Sequence, residues 1–302
     1  MGSHDEAFDY FYVLPEGCIA NIISFTSPPD ACRMSLVSSV FRSAAGSDAV
    51  WERFLPPEYC PIISRAVAPP PLPCPSKRDL YLSLCNSPLL IDGGKKSFSL
   101  DKRSGKKCYM ISARDFLITW GDAPRYWRWI PLPEARFAEV AELVSVCWLE
   151  IRGKIDIRML SPMTLYAAYL VFKSTTGAYG FEHQPVETTV GLVGGESLKR
   201  TVYLDAERGR RRRYQIVARR LGRYDWSRNL ETQTSVPEQE KDDGPYPQVR
   251  GDGWLEIELG DFFYGGDGQD GELEMSVLEI TGGGWKGGLI FQGIEIRPKV
   301  LN

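Results

Sequence analysis

Apolar residues recur along this chain with two different periods, and the change from one to the other divides it. Between residues 10 and 55 the spacing is helical. Leu14-Pro15 opens a first predicted helix whose Ile19, Ile22 and Ile23 share a face; Pro28-Pro29-Asp30 ends it and caps a second, carrying Met34, Val37 and Phe41. A third starts near Asp48 with Val50, Trp51 and Phe54. Three short helices cannot cover all of these side chains against one another, so the surplus is expected to dock on a partner or on the next domain. Residues 56–76 are proline-rich and break the period, as a stiff linker between two domains would.

Beyond residue 77 a helical start, KRDLYLSLCNSPLL, stops at Pro88, and a hairpin is expected around Ser104-Gly105; residues 77–112 read as a bracing extension of the second domain. From residue 113 to 300 the period shortens. Strands are predicted at 116–120, 148–157, 165–173, 201–204, 214–218, 254–259, 273–280 and 289–297. Leu149, Ile151, Gly153, Ile155 and Ile157 alternate with charged residues, which gives a strand with one wet face. LYAAYLVF is apolar on both faces and should be central. In GELEMSVLEI the alternation breaks after Val277, which a bulge there would explain. Residues 225–253 are polar and lack a period, so they read as a long mobile loop. Many short strands with glycine turns argue for an antiparallel sandwich.

Composition narrows the chemistry. The 302 residues carry 36 Lys plus Arg against 39 Asp plus Glu, a net charge of -3, so a dedicated nucleic-acid binder is disfavoured. Two histidines, His4 and His183, cannot build a multi-histidine metal site, and no metal or cofactor is expected. Seven cysteines form an odd set without a CxxC pair, which suits a reducing compartment. No apolar window reaches membrane-span length and the N-terminus is acidic, so cytoplasm and nucleus are expected and no membrane contact.

Two resemblances span nearly the whole chain. Leu14-Pro15, Pro28-Pro29-Asp30, Leu36, Val37, Phe41 and Trp51 stand where an F-box has them, over residues 10–55. ARDFLITWGDAPRYWRWI, EVAELVSVCWLEIRGKI, LSPMTLYAAYLVFK, RGDGWLEIELGDFF, DGELEMSVLEI and GWKGGLIFQGIEIRPK resemble the phloem-protein-two, or Nictaba-like lectin, family of plants. The implied architecture is multidomain α+β: a small three-helix F-box followed by an antiparallel, jelly-roll-like β-sandwich of lectin type. The implied role is substrate receptor of a Skp–cullin–F-box ubiquitin ligase, with catalysis left to partners. For the Skp-family adaptor, through which cullin is reached, the expected contacts are Leu14, Pro15, Ile19, Ile22, Ile23, Leu36, Val37 and Trp51. Apolar periodicity equally marks core.

The lectin resemblance implies a ligand of N-acetylglucosamine oligomers or N-glycan cores on target glycoproteins. Trp120, Tyr126, Trp127 and Trp129 cluster around a turn at residues 121–124, and Trp120 and Trp127 match the family's sugar-binding tryptophans. Flat rings stack on the apolar face of a sugar; core packing is the competing reading. Glu272 and Glu279 align with the family's groove glutamates, whose carboxylates would accept from sugar hydroxyls. Seven residues apart, they share a face only if the bulge exists; a solvated edge strand is the alternative. Trp129 and Trp148 are assigned to the core, while Trp285 could wall the groove or pack beneath it.

Other signals are weaker. Arg208, Arg210, Arg211, Arg212 and Arg213 could form a nuclear-import signal or a solvated hairpin. The glycines of FYGGDGQDGE do not join a strand to a helix and so make no phosphate loop. A sugar-independent protein-binding sandwich on the same adaptor, or a free phloem-type lectin, remain as alternatives.

Overall fold

The computed structural model describes residues 14–68, 75–182, 184–206, 246–266 and 268–299. Among the described residues six α-helices occupy the N-terminal part: α1 (Glu16–Ser24), α2 (Pro28–Met34), α3 (Ser39–Gly46), α4 (Asp48–Phe54), α5 (Tyr59–Ser64) and α6 (Lys77–Asn86). Serine hydroxyls cap four of them. Ser27, Ser38, Ser47 and Ser76 accept from the backbone N–H of Asp30, Phe41, Ala49 and Asp79, satisfying donors that a helix start leaves free. The cap at Ser38 corrects the expected second helix. It starts a new helix there, so the segment splits into α2 and α3 and leaves Leu36 and Val37 in the turn between them.

Ile19, Ile23, Ala31, Ala44, Ala45, Val50 and Trp51 fill the helical core, and the Trp51 indole donates to the Ala45 carbonyl at 2.7 Å. Nor does the chain hinge after α4. Pro61 lies in the first turn of α5, where its missing N–H costs nothing, and Tyr59, Ile62 and Ile63 are buried. The residues just after α5 are bonded down: Arg65 makes a two-pronged pair with Asp92 at 2.7 and 2.8 Å, and the Val67 N–H donates to the Leu90 carbonyl at 2.8 Å. Tyr81 of α6 packs 5.3 Å from Trp51 and 6.4 Å from Phe54, and buried Lys107 pairs with Glu58. Of the part expected to be a linker, Tyr59, Ile62, Ile63 and Ala66 join one continuous apolar cluster with helices and sandwich, and residues 69–74 lie outside the described residues.

The strands are β1 (Leu89–Ile91), β2 (Lys96–Leu100), β3 (Lys107–Ser112), β4 (Leu117–Ile118), β5 (Trp127–Ile130), β6 (Val140–Leu143), β7 (Leu149–Asp156), β8 (Thr164–Tyr179), β9 (Pro185–Leu192), β10 (Ser197–Tyr203), β11 (Gln248–Val249), β12 (Leu255–Tyr264), β13 (Glu272–Glu279) and β14 (Gly287–Pro298). They form two sheets, antiparallel throughout among the described residues. One runs β1-β2-β3-β14-β8-β12-β11, with β6 on β14 and β5 on β6; the other runs β10-β9-β13-β7-β4. Their inner faces meet in the main core, where the Thr188 hydroxyl reaches across to the Leu259 carbonyl at 2.8 Å.

The hairpin expected at Ser104-Gly105 joins β2 to β3, and Gly105 there has φ +70° and its α-carbon close against Phe54. Because β3 pairs with β14, this stretch is sheet rather than brace. β7 alternates as its sequence predicts, and β8 is central, between β14 and β12. The expected bulge in β13 is a correction: its register with β7 is unbroken from Glu272 to Glu279. Bulges fall instead between Glu258 and Gly260 in β12 and between Phe291 and Gly293 in β14. The predicted strand at 214–218 lies outside the described residues, as does the arginine cluster; of the predicted loop, 246–253 is described and holds β11.

Candidate functional site

Among the eight residues expected to meet an adaptor, Leu14, Pro15, Ile22, Leu36 and Val37 are exposed, whereas Ile19, Ile23 and Trp51 are buried. The helical period is the reason. Ile19 and Ile23, four apart, look inward, and Ile22 is turned by about one 100° step away from Ile23. Leu36 is 78% exposed and Val37 61%, because they sit in a turn rather than on a helix face. Sequence reasoning missed Phe25 at the end of α1. Its ring is 66% exposed, with the Arg53 guanidinium 4.1 Å from its centre.

The four expected aromatic residues also separate. Trp120 is 45% exposed and holds φ +59°, a left-handed conformation uncommon for a bulky residue. Tyr126 lies 5.2 Å from it, ring to ring, with Arg125 beside Tyr126. Trp127, the first residue of β5, is 2% exposed. Its indole donates to the Thr119 carbonyl at 3.2 Å and its ring packs against Phe291, so Trp127 is a core residue and offers no face to a ligand. Trp129 donates to the Gly121 carbonyl under the Arg114 guanidinium.

Glu272 and Glu279 lie at opposite ends of β13 and on opposite faces, since no bulge realigns them. Glu272 is exposed, with Lys154 at 3.8 Å. Glu279 points the other way, with Leu273, Met275 and Val277, and is 2% exposed. One of its oxygens accepts from the Gln184 side chain at 3.0 Å and the Gly282 N–H at 2.9 Å, and its carboxylate pairs with Lys286, itself buried. Glu279 is thus closed to sugar hydroxyls, and the expected pair of groove glutamates is not assembled.

The same end of the sandwich exposes aromatic rings that the sequence reading placed elsewhere or left open. Trp148 is 41% exposed, Trp285 51% and Tyr179 41%. The segment 144–148 holds them together. The Val144 N–H donates to the Tyr126 carbonyl, Ser145 bonds the Tyr179 hydroxyl at 2.6 Å, Val146 pairs with Lys286 beside Trp285, and Trp148 follows. Glu150 ties this rim to the Trp120 turn. One oxygen accepts from the Trp148 indole at 3.1 Å and the Thr119 hydroxyl at 3.0 Å, and the other from Arg152 at 3.0 Å. The Trp148 hydrogen bond, with those from Arg152 and Thr119, holds its carboxyl below the usual glutamate range despite partial burial. It is therefore an ionised acceptor at neutral pH, beside rings whose edges are tethered. A trough of about 290 Å3 on the outer face of the five-stranded sheet, over Thr189, Gly191 and Ser276, is by contrast lined by charged, small and aliphatic residues without an aromatic ring.

Helices with an uncovered aliphatic surface, joined to a two-sheet sandwich, are the arrangement of an F-box protein with a lectin-like domain. Residues 11–53 match the F-box domain and residues 106–298 match phloem protein 2. The chain belongs to the plant F-box proteins of the phloem protein 2 family. It is 49% identical to F-box protein At2g02240 of Arabidopsis thaliana over 95% of this chain and 80% of that one. It is 45% identical to F-box protein PP2-B1, over 97% and 91% of the two chains, and 46% identical to F-box protein PP2-B10, over 99% and 97%, both of Arabidopsis thaliana.

Proposed function

We propose that this chain is the substrate receptor of a Skp–cullin–F-box ubiquitin ligase, in which the helices bind a Skp-family adaptor and the sandwich selects the target. The observation that carries the reading is the set of exposed aliphatic and aromatic side chains on the helical part: Leu14, Ile22, Phe25, Leu36 and Val37. Large apolar side chains left in water favour a partner that removes them from it. Coelution of the full chain with a Skp-family adaptor on size exclusion tests this, and Ile22→Asp with Val37→Asp is expected to abolish it while the chain stays folded. Coelution unchanged in that double variant would overturn the assignment of the surface.

For the sandwich, the ligand that fits its aromatic end is an N-acetylglucosamine oligomer or N-glycan core on a target glycoprotein. Exposed ring faces stack on sugar C–H groups, and the Glu150 carboxylate stands ready to accept hydroxyl protons. Binding on a glycan array by the full chain, lost in Trp120→Ala, is the expected result. Silence from folded wild type would leave the second reading, a sandwich that grips unglycosylated protein. The burial of Trp127 and Glu279 favours that alternative, because half of the expected sugar contacts are withdrawn. In either case the chain is a non-catalytic adaptor of cytoplasm and nucleus, and ubiquitin transfer is performed by its partners.

A further inference from the structure

Glu279 and Lys286 are the two ends of a buried ion pair, and the bonds around it reach three segments at the aromatic end. Lys286 donates to the Gly284 carbonyl at 2.7 Å and to the Cys147 carbonyl at 3.3 Å, while its backbone pairs with Val146 at 2.8 and 2.9 Å. Glu279 receives the Gly282 N–H and the Gln184 side chain. Three segments thus converge on two side chains: the turn 280–285 that carries Trp285, the strip 144–148 that carries Trp148, and the connection from β8 to β9. Gly282 completes the closure, since a side chain there would meet Gln184 at 2.7 Å and the Glu279 carboxylate at 2.8 Å. A turn with four glycine-class or small positions, Thr281-Gly282-Gly283-Gly284, has little of its own to fix it. Buried ion pairs often add little net stability over apolar residues of the same volume, and this one is bonded to three backbone groups and an amide, which ties it to a single geometry.

We infer that Glu279 and Lys286 are positioning residues: they fix the Trp285 turn against the Trp148 strip and so set the spacing of the ring faces offered to a ligand, without touching that ligand. This rests on the reading of the aromatic end as ligand-facing, and it reverses the role that the family resemblance assigns to Glu279. Breaking the pair on one side leaves a buried charge alone, so Glu279→Gln and Lys286→Met each cost stability for a trivial reason. The double variant Glu279→Gln/Lys286→Met removes both charges and separates the two effects.

The experiment uses the full chain labelled with fluorotryptophan, the Trp148 and Trp285 signals being assigned by their loss in Trp148→Phe and Trp285→Phe. In the double variant the melting temperature is expected to recover relative to either single change. The Trp285 and Trp148 signals are expected to shift or broaden, with those of core Trp51 and Trp254 unmoved, and affinity for chitotriose to fall about tenfold, the size of one misplaced ring-stacking contact. Unmoved Trp285 and Trp148 signals would overturn the inference. If affinity nevertheless fell, Glu279 would be a direct ligand contact; if it did not, the pair would be core filling. Wild type that binds no chitotriose defeats the sugar reading alone, because the fluorine signals still report whether the pair holds the turn.

Discussion

The two ends of the molecule both leave large apolar side chains in water, and they do so differently. On the helical part the exposed groups are mostly aliphatic, Leu14, Ile22, Leu36 and Val37, whose side chains have no atom that a hydrogen bond could hold. At the aromatic end Trp148 is tethered by its ring edge to Glu150 and Tyr179 by its hydroxyl to Ser145, with an ionised carboxylate alongside. An untethered aliphatic surface is suited to a dry protein contact, which tolerates adjustment and needs area. Tethered rings beside hydrogen-bond acceptors are suited to a small polar ligand, which needs a fixed face and a few well-placed polar groups. The contrast separates a surface suited to a dry protein contact from one suited to a small polar ligand.

The largest effect that sharpens this comparison is within one pair of tryptophans. Trp127→Ala is expected to destabilise the fold by about 3–5 kcal/mol, as removal of a fully buried ring does, and Trp120→Ala by about 1 kcal/mol or less. Thermal or urea unfolding measures both, and equal losses would place Trp120 in the core with Trp127. A smaller effect concerns acid. Glu295 is buried, which alone would raise its carboxyl, but Arg250, Arg136 and Arg297 outweigh this and hold it below the ordinary glutamate value. Its contribution to stability is therefore present above the unfolded glutamate pKa and lost as pH falls through the lower folded value. Melting temperature against pH between 7 and 3 is expected to drop more steeply in wild type than in Glu295→Gln; parallel curves would contradict the assignment. The smallest effect is on the helices, where Ile22→Asp should change unfolding free energy by about 0.5 kcal/mol or less, since its side chain is already in water. A loss of several kcal/mol would mean that Ile22 belongs to the core.

Most of the fold was legible because period and burial coincide. β7 alternates in the sequence and in the structure, and the doubly apolar β8 is central. Three misreadings have physical causes. β9 alternates Val186, Thr188 and Val190 inward against Glu187 and Thr189, a pattern obscured because threonine serves both faces. α5 lies among prolines, which read as linker although Pro61 is tolerated in a first turn. The bulge in β13 rests on Leu278 and Ile280, but Leu278 is an apolar residue half-buried on the outer face and Ile280 lies beyond the strand end, so neither breaks the alternation.

The site was less legible than the fold. Glu279 shares the parity of Leu273, Met275 and Val277, so its burial was written in the sequence and was overridden by the family alignment. Trp120 and Trp127 could not be told apart from sequence, because the left-handed backbone of Trp120 and the contact of Trp127 with Phe291 are tertiary facts. Trp148, just before β7, has the parity of Glu150 and Arg152 on the wet face, so its exposure was legible in the alternation; its assignment to the core followed the general burial of tryptophan instead.

The two apolar surfaces are expected to take different partners at once. One capture experiment tests it: a Skp-family adaptor is passed over immobilised N-acetylglucosamine oligomer with and without the full chain. The adaptor should be retained only with wild-type chain, and lost with either Ile22→Asp/Val37→Asp or Trp120→Ala while both variants remain folded. A chain that carries the adaptor straight through the column, or retention that survives both variants, would contradict it.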